Sequence, residues 1–384
     1  MKKSFEKSVK STKYRRKIRL IWLILLLCTA SLMLTNCIPP KSSKGVKNPH
    51  DGEALNSKVA VVYSDKYTIR LGGLEKLHPH PQKYAPIYYR LIKKGYIKPA
   101  DVFVPKPATN EEIMLVHSEK FMKSLNSSAE VAEFLEIPAI APVPNSIVHS
   151  NILSAFETHV GGTILAGKLA LKYGIAINIG GGYHHAKIDH GEGFCVYNDL
   201  AIALEVLFRD KLIKKAAVID LDVHQGNGTA EIFEGEERVF TFSMHEGGIY
   251  PLPKSESDWD IELEEYTGDK EYLKILRSAV KKILDQQKPD IVMLQAGADV
   301  LKGDPLANLE LTFAGVVARD AIVIDACVKR SIPVVYTTGG GYAKNSWKAQ
   351  YLSIERTIKK YGLVEGKPKH EPRKLTPHEK IYSK

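Results

Sequence analysis

Between Lys58 and Tyr361 the chain alternates short apolar, β-branched runs with longer stretches of helical period, and this alternation limits the fold more than any other feature. K-V-A-V-V-Y-S, I-A-I-N-I, A-A-V-I-D-L-D, R-V-F-T-F-S-M, D-I-V-M-L-Q-A and P-V-V-Y-T-T read as strands. Helices are predicted over Pro81 to Gly95, Gly161 to Tyr173, after Asn198, and over Lys270 to Gln286, Phe313 to Lys329 and Ser346 to Tyr361. Short apolar strands joined through helices pack as a parallel sheet covered on both faces. The expected fold is therefore a single three-layer α/β/α domain over 58–363 with a mainly parallel sheet. Ligands of such sheets bind beyond the carboxyl ends of the strands, so the residues that follow each apolar run are the ones to inspect.

Four of these runs lead into polar groups: G-G-G-Y-H-H-A, D-L-D-V-H-Q-G-N-G, Q-A-G-A-D and T-T-G-G-G-Y. They bring His184, His185, Asp220, Asp222, His224, Asn227, Asp299 and Tyr342 to one rim. Singly, an Asp here is a cap or turn former and a His a buried ring satisfied by backbone. The glycine runs lack both G-x-G-x-x-G spacing and a GK[ST] ending, which argues against a phosphate loop. Taken together the set has a chemistry. Asp222 and His224, two apart on extended chain, point to one side. With Asp299 they offer one imidazole and two carboxylates, a set suited to Zn²⁺, with Fe²⁺ or Co²⁺ also fitting. The adjacent histidines supply an acid and a base beside such a metal. Asp220 and Asn227 are placed to fix their tautomers, and Tyr342 can donate its hydroxyl to a developing oxyanion. These are the parts of a metal-assisted amide hydrolase.

The formal charge of +10 does not point to nucleic acid: residues 1–36 hold nine Lys/Arg against one Asp/Glu, and the rest carries 45 against 43. No direct nucleic-acid binding is expected. That basic block runs into L-I-W-L-I-L-L-L-C-T-A-S-L-M-L-T-N-C, the order of a secretory signal, and its charge-free core is shorter than the roughly 20 residues of a spanning helix. Leu34-Thr35-Asn36-Cys37 resembles a bacterial lipobox with Asn in place of the usual small residue before the cysteine. Lipidation at Cys37, or an uncleaved signal anchor, would hold the protein at a membrane by its N-terminus. Residues 1–37 are thus read as signal or anchor, 38–57 as a flexible tether and 364–384 as a polar tail. Cys195 and Cys327 give no disulfide framework.

G-G-Y-H-H-A, G-F-C-V-Y-N-D, I-D-L-D-V-H-Q-G-N-G, Q-A-G-A-D-V-L-K-G-D-P and T-T-G-G-G-Y together resemble, in this order, the signature motifs of the zinc-dependent histone deacetylases. The resemblance runs from Val59 to Leu363. G-L-E-K-L-H-P, E-I-P, G-G-T-I-L-A-G-K-L-A and I-Y-P are most similar to the class IV branch. It implies the arginase-deacetylase fold and hydrolysis of an N-acyl-lysine or related acylated amine. It matches Asp222, His224 and Asp299 to the metal, His184 and His185 to the acid/base pair, and Tyr342 to the carbonyl. A structural potassium would map onto Asp220, Asp222, His224, Ser243 and Met244. Phe194 and Tyr250 would line an acyl-lysine channel, core packing being the plainer account, and His78 would lie below the pocket. Asn227 stands where many members have Asp. The rival readings are an arginase-like binuclear ureohydrolase, which needs a D-x-H-x-D run that Gln225, Gly226 and Asn227 do not supply, and a catalytically silent binding module.

Overall fold

The computed structural model describes residues 57–69 and 83–365. The N-terminal segment with Cys37, the tether up to residue 56, His78, the predicted helix start at Pro81 and the tail from residue 366 lie outside the described residues. Eight strands form one sheet: β1 Lys58–Val62, β2 Val102–Phe103, β3 Gly174–Asn178, β4 Ala216–Asp220, β5 Val239–Glu246, β6 Trp259–Leu263, β7 Ile291–Gln295 and β8 Val334–Thr337. Their order is β2-β1-β3-β8-β7-β4-β5-β6, and every pairing is parallel. The longer helices are α1 Tyr84–Lys93, α2 Ser154–Tyr173, α3 Asp199–Arg209, α4 Asp269–Gln287, α5 Phe313–Lys329 and α6 Ser346–Tyr361.

Successive strand residues point to opposite faces, and the two apolar cores divide along that alternation. Val59, Val61, Ile177, Ile219, Leu294 and Tyr336 pack with Leu91 of α1, Leu276 and Val280 of α4, Val323 of α5 and Ile354 of α6. Ala60, Val62, Ala176, Val218, Met293 and Val335 pack with Val160 and Ile164 of α2 and Leu204 and Leu207 of α3. The sheet is thus buried on both sides, which is why its strands read as nearly unbroken apolar runs.

Helices α5 and α6 have the predicted bounds, and Asn198 and Thr312 cap α3 and α5 by accepting from the Ala201 and Gly315 N–H groups. Helix α2 begins at Ser154, ahead of the predicted Gly161. The Gly161-Gly162 pair, which looks like a helix start, sits inside it because another segment passes close: a Cβ at Gly162 would fall 1.9 Å from the Tyr67 hydroxyl. Strand β6, W-D-I-E-L, escapes the sequence pattern because it is a half-exposed edge strand carrying alternate charges. The two-residue β2 and the short helices between Asn110 and Val148 are too brief to show periodicity.

The four strands expected to carry the polar groups, β3, β8, β7 and β4, are neighbours in that order at the centre of the sheet. Backbone pairing continues past their ends, with Leu221 N–H donating to Gln295 O (2.9 Å), Ala298 N–H to Gly340 O (2.9 Å) and Gly339 N–H to Gly181 O (3.2 Å). Arg319 of α5, with no exposed surface, reinforces this from below. Its Nη1 donates to the carbonyls of Leu221 (2.9 Å) and Gly297 (2.6 Å), and its Nε to Asp320 (2.8 Å). The two carbonyls belong to the turns that follow β4 and β7.

Removing one member of a buried ion pair leaves the other uncompensated. Arg319→Leu should therefore lower unfolding free energy by about 3–5 kcal/mol in urea titration. A change below about 1 kcal/mol would contradict the role given to this side chain.

Candidate metal centre and active site

Beyond β4 and β7, Asp222, His224 and Asp299 bring one ligand atom each to within 4.8 Å of one another, all buried. Backbone N–H groups and the imidazole itself hold them. Gly340 N–H donates to Asp222 Oδ2 (2.7 Å), Val223 N–H donates to Asp299 Oδ1 (3.0 Å), and His224 Nδ1 lies 3.4 Å from Asp222 Oδ1 and 3.6 Å from Asp299 Oδ2. Asp299 Oδ2 is buried without a hydrogen-bond partner, an expensive state for a carboxylate oxygen unless a cation meets it. The backbone leaves room there, since a Cβ at Gly340 would fall 1.9 Å from that same oxygen. An orphaned acceptor, a second carboxylate and an imidazole round one small space fit a divalent metal ion.

The charges show how costly this arrangement is without a cation. Burial, then the neighbouring Asp222, raises the Asp299 carboxyl to about 7. His224 is pulled down by burial but raised more by the adjoining carboxylates of Asp222 and Asp299, to about 10. A proton on the imidazole then does the neutralising that a metal would do.

The two histidines follow β3 with ring centres 4.0 Å apart. His184 Nδ1 meets Asp220 Oδ2 at 2.6 Å, and His185 Nδ1 meets Asn227 Oδ1 at 2.7 Å. Partner chemistry separates them. Burial lowers the basicity of both, but the carboxylates of Asp220 and Asp222 more than reverse this for His184, raising it to about 9. For His185 burial combines with the charges of His184 and His224, and its neutral partner offsets little, so it falls well below its ordinary value.

Tyr342 follows β8, its ring 6.1 Å from that of His224 and 5.8 Å from that of Phe194. Burial and then the charges of Asp299 and Asp222 raise its phenol well above the ordinary value, which keeps it a donor. Tyr250, more than a third exposed, stands edge-on to His185 (5.0 Å) and His224 (6.2 Å). Phe194 and Tyr250 therefore flank the cluster rather than fill a core. Phe194 (φ 66°) and Gly193 (φ 54°) form a tight turn closed by Cys195 N–H donating to Glu192 O (2.9 Å). Ser243 lies opposite Asp220 in the β4–β5 register with buried Met244 beside it, and its hydroxyl meets His245 Nδ1 at 2.9 Å. Cys195 and Cys327 are both free and buried.

Several residues of the site have no counterpart in the sequence reading. Asp199, in the G-F-C-V-Y-N-D run, accepts from Tyr183 N–H (2.7 Å) and Gly182 N–H (3.0 Å) and so sets the turn that delivers the histidines. Asp304, in the K-G-D-P run, accepts from the N–H groups of Tyr342 (2.8 Å) and Ala343 (2.9 Å). Both stood inside quoted motifs, but a carboxylate that binds backbone from a distant loop has no periodic signal. Lys83 is wholly buried and donates to the carbonyls of Gly339 and Gly340 (2.6 Å to the latter). Burial lowers its ammonium to about 8 despite the carboxylates of Asp299, Asp222 and Asp304. Glu192 accepts directly from Asn227 Nδ2.

With this geometry in place, known proteins supply the relationship. Residues 78–357 match the histone deacetylase domain family. The chain is 37% identical over 316 residues to histone deacetylase 2 of Arabidopsis thaliana, covering 81% of each protein. It is 29% identical over 324 residues to the acetoin utilization protein AcuC of Staphylococcus aureus, covering 78% of this chain and 82% of that one. The crystal structure of the HDA15 HD domain superposes with a TM-score of 0.63 at 23% identity, over 79% of this chain and 90% of that one, and so shares its fold. The chain belongs to the histone deacetylase domain family.

Proposed function

We propose that this chain is a metal-dependent deacylase that hydrolyses the amide of an acylated lysine or a related acylated amine. The observation that carries the proposal is the meeting of three buried candidate ligands with two differently partnered histidines and a tyrosine at the ends of four adjacent strands. The relatives carry names for histone deacetylation and for acetoin utilization, so the reading is made for the bond that is cut and not for one acylated partner.

Asp222, His224 and Asp299 would hold the ion, with zinc the best match to one nitrogen and two oxygens and iron(II) also compatible. When bound, a divalent ion polarises an amide carbonyl and lowers the pKa of a water towards about 7. His185, kept neutral beside Asn227, takes a proton through its free Nε2. His184, with Asp220 behind it, holds positive charge next to the reacting centre. Tyr342 donates its hydroxyl to the carbonyl oxygen as negative charge grows there, and Phe194 and Tyr250 pack against the acyl-lysine stem. A structural potassium would draw on Asp220, Asp222, His224, Ser243 and Met244, of which Asp220 on β4 pairs with Ser243 on β5, Met244 follows on β5, and Asp222 and His224 lie in the loop after β4. One cluster of this kind exists among the described residues, and the Gln225 amide is engaged with Ser255 O (2.6 Å) and Asp260 (3.0 Å). Both facts favour a one-ion deacylase over a binuclear ureohydrolase. Attachment to a membrane through Cys37 or the apolar segment before it belongs to the same proposal; among the described residues no helix is long and apolar enough to cross a membrane.

Three outcomes follow from these roles. Gly340→Ala places a methyl against Asp299 Oδ2, so the purified variant should contain less than about a tenth of the metal found in the parent by elemental analysis; full occupancy would remove these residues from the site. His185→Ala and Tyr342→Phe should each lower kcat on an acyl-lysine peptide by at least about 10²-fold while keeping their metal, and an active variant would refute its assigned role. In the metal-free chain His224 is raised to about 10 and Asp299 to about 7, so both hold protons that binding must expel. Metal affinity should therefore climb as pH rises from about 6 to about 8, with protons released in calorimetry; a Kd independent of pH would contradict this linkage.

A further inference from the structure

We infer that Glu192 is a positioning residue that selects the working tautomer of His185 by locking the orientation of the Asn227 amide. The inference rests on His185 being the base proposed above. Its argument comes from three side chains in a row. His185 Nδ1 meets Asn227 Oδ1 at 2.7 Å, and Asn227 Nδ2 donates to Glu192 Oε1.

A carboxamide is two-sided: one end only accepts and the other only donates. Alone, Asn227 could serve His185 either way round. With its oxygen inward it requires a proton on Nδ1 and leaves Nε2 free to accept. With its nitrogen inward it favours the opposite tautomer, with the proton on Nε2, which cannot act as a base. A carboxylate has only acceptors, so the Glu192 side chain admits the first orientation and opposes the second. The neutral amide thereby acquires the directionality that an Asp at 227 would have without help, because both oxygens of a carboxylate accept.

The surroundings hold Glu192 to this task. The turn through Gly193 and Phe194, both with positive φ, is closed by Cys195 N–H on the Glu192 carbonyl, which fixes the backbone at the edge of the site. A Cβ at Gly193 would fall 2.6 Å from His185 Cδ2, so this turn lies directly against the imidazole it serves. Lys187 Nζ lies 3.6 Å from Glu192 Oε1, the oxygen that Asn227 meets, and 2.9 Å from Glu231, placing a cation beside the carboxylate that favours its ionised, acceptor-only form. The Glu192 side chain is about a quarter exposed (23%), so the relay runs from the rim of the site to its buried base.

A double-mutant cycle separates orientation from packing. In the parent chain, Glu192→Ala should lower kcat on an acyl-lysine peptide by about tenfold or more, with KM changed less than about twofold. In the Asn227→Asp background the same substitution should cost less than about twofold, because the carboxylate at 227 needs no orienting. An equal cost in both backgrounds overturns the inference; because the variant also relieves repulsion between the carboxylates at 192 and 227, the tautomer measurement below separates orientation from that relief. Glu192→Met, which keeps the length and removes the acceptor, decides the matter if the alanine variant is unfolded by circular dichroism. Independently of turnover, ¹⁵N-histidine NMR of the metal-loaded chain should show His185 protonated at Nδ1 in the parent and a mixture of tautomers in the Glu192 variants; an unchanged tautomer also overturns it. An inactive parent chain would instead refute the deacylase reading, while the tautomer measurement would still test the relay.

Discussion

Two carboxylates and an imidazole buried round one point are the constraint on which the rest of the structure depends. Asp222 and Asp299 come from the loops after two different strands and are both buried in one small space, a costly arrangement for like charges. The surrounding architecture reads as compensation. Gly340 and Val223 turn their N–H groups onto the two carboxylates. Arg319 fixes the carbonyls of the turns that bear them from one side, and Lys83 fixes the Gly339–Gly340 turn from another. The Asp299 oxygen left without a hydrogen-bond partner is where the proposed ion would complete the balance.

The parallel sheet turns this local demand into a site. Adjacent central strands all end on the same side, so four loops distant in sequence converge without any long excursion of the chain. Histidines come from one, two ligands from a second, the third ligand from another, and the tyrosine from the last. Each loop is then tied by a buried side chain: Asp199 for the histidine turn, Asp304 for the Tyr342 turn and Arg319 for the turns after β4 and β7, with Asn227 and Asp220 holding the imidazoles themselves. Rigid placement of this kind is what two differently partnered imidazoles only 4.0 Å apart require if their protonation states are to stay distinct.

Much of this was legible in the sequence because it depends on local pattern. Apolar runs marked the buried strands, and the residues after them included every candidate ligand and both histidines. D-V-H predicted a shared side for Asp222 and His224, and the structure brings them together. What stayed hidden depends on contacts between distant segments. The Gly161-Gly162 pair was read as the start of a helix, yet α2 begins at Ser154 and carries Gly162 inside it, where Tyr67 comes too close for a side chain. Glu192 gave no signal in the sequence, because only the fold brings Asn227 to it. Lys83 and Arg319 carry full charges in the interior, which sequence statistics would place on the surface. Edge strand β6 was missed for the opposite reason, since its exposure removes the apolar signature.

The most direct test is a titration of the purified metal-free chain with zinc while hydrolysis of an acyl-lysine peptide is followed. The account predicts that activity appears with the metal and reaches its plateau at about one ion per chain. A plateau at about two ions, or no hydrolysis of any acylated amine at full metal occupancy, would contradict it.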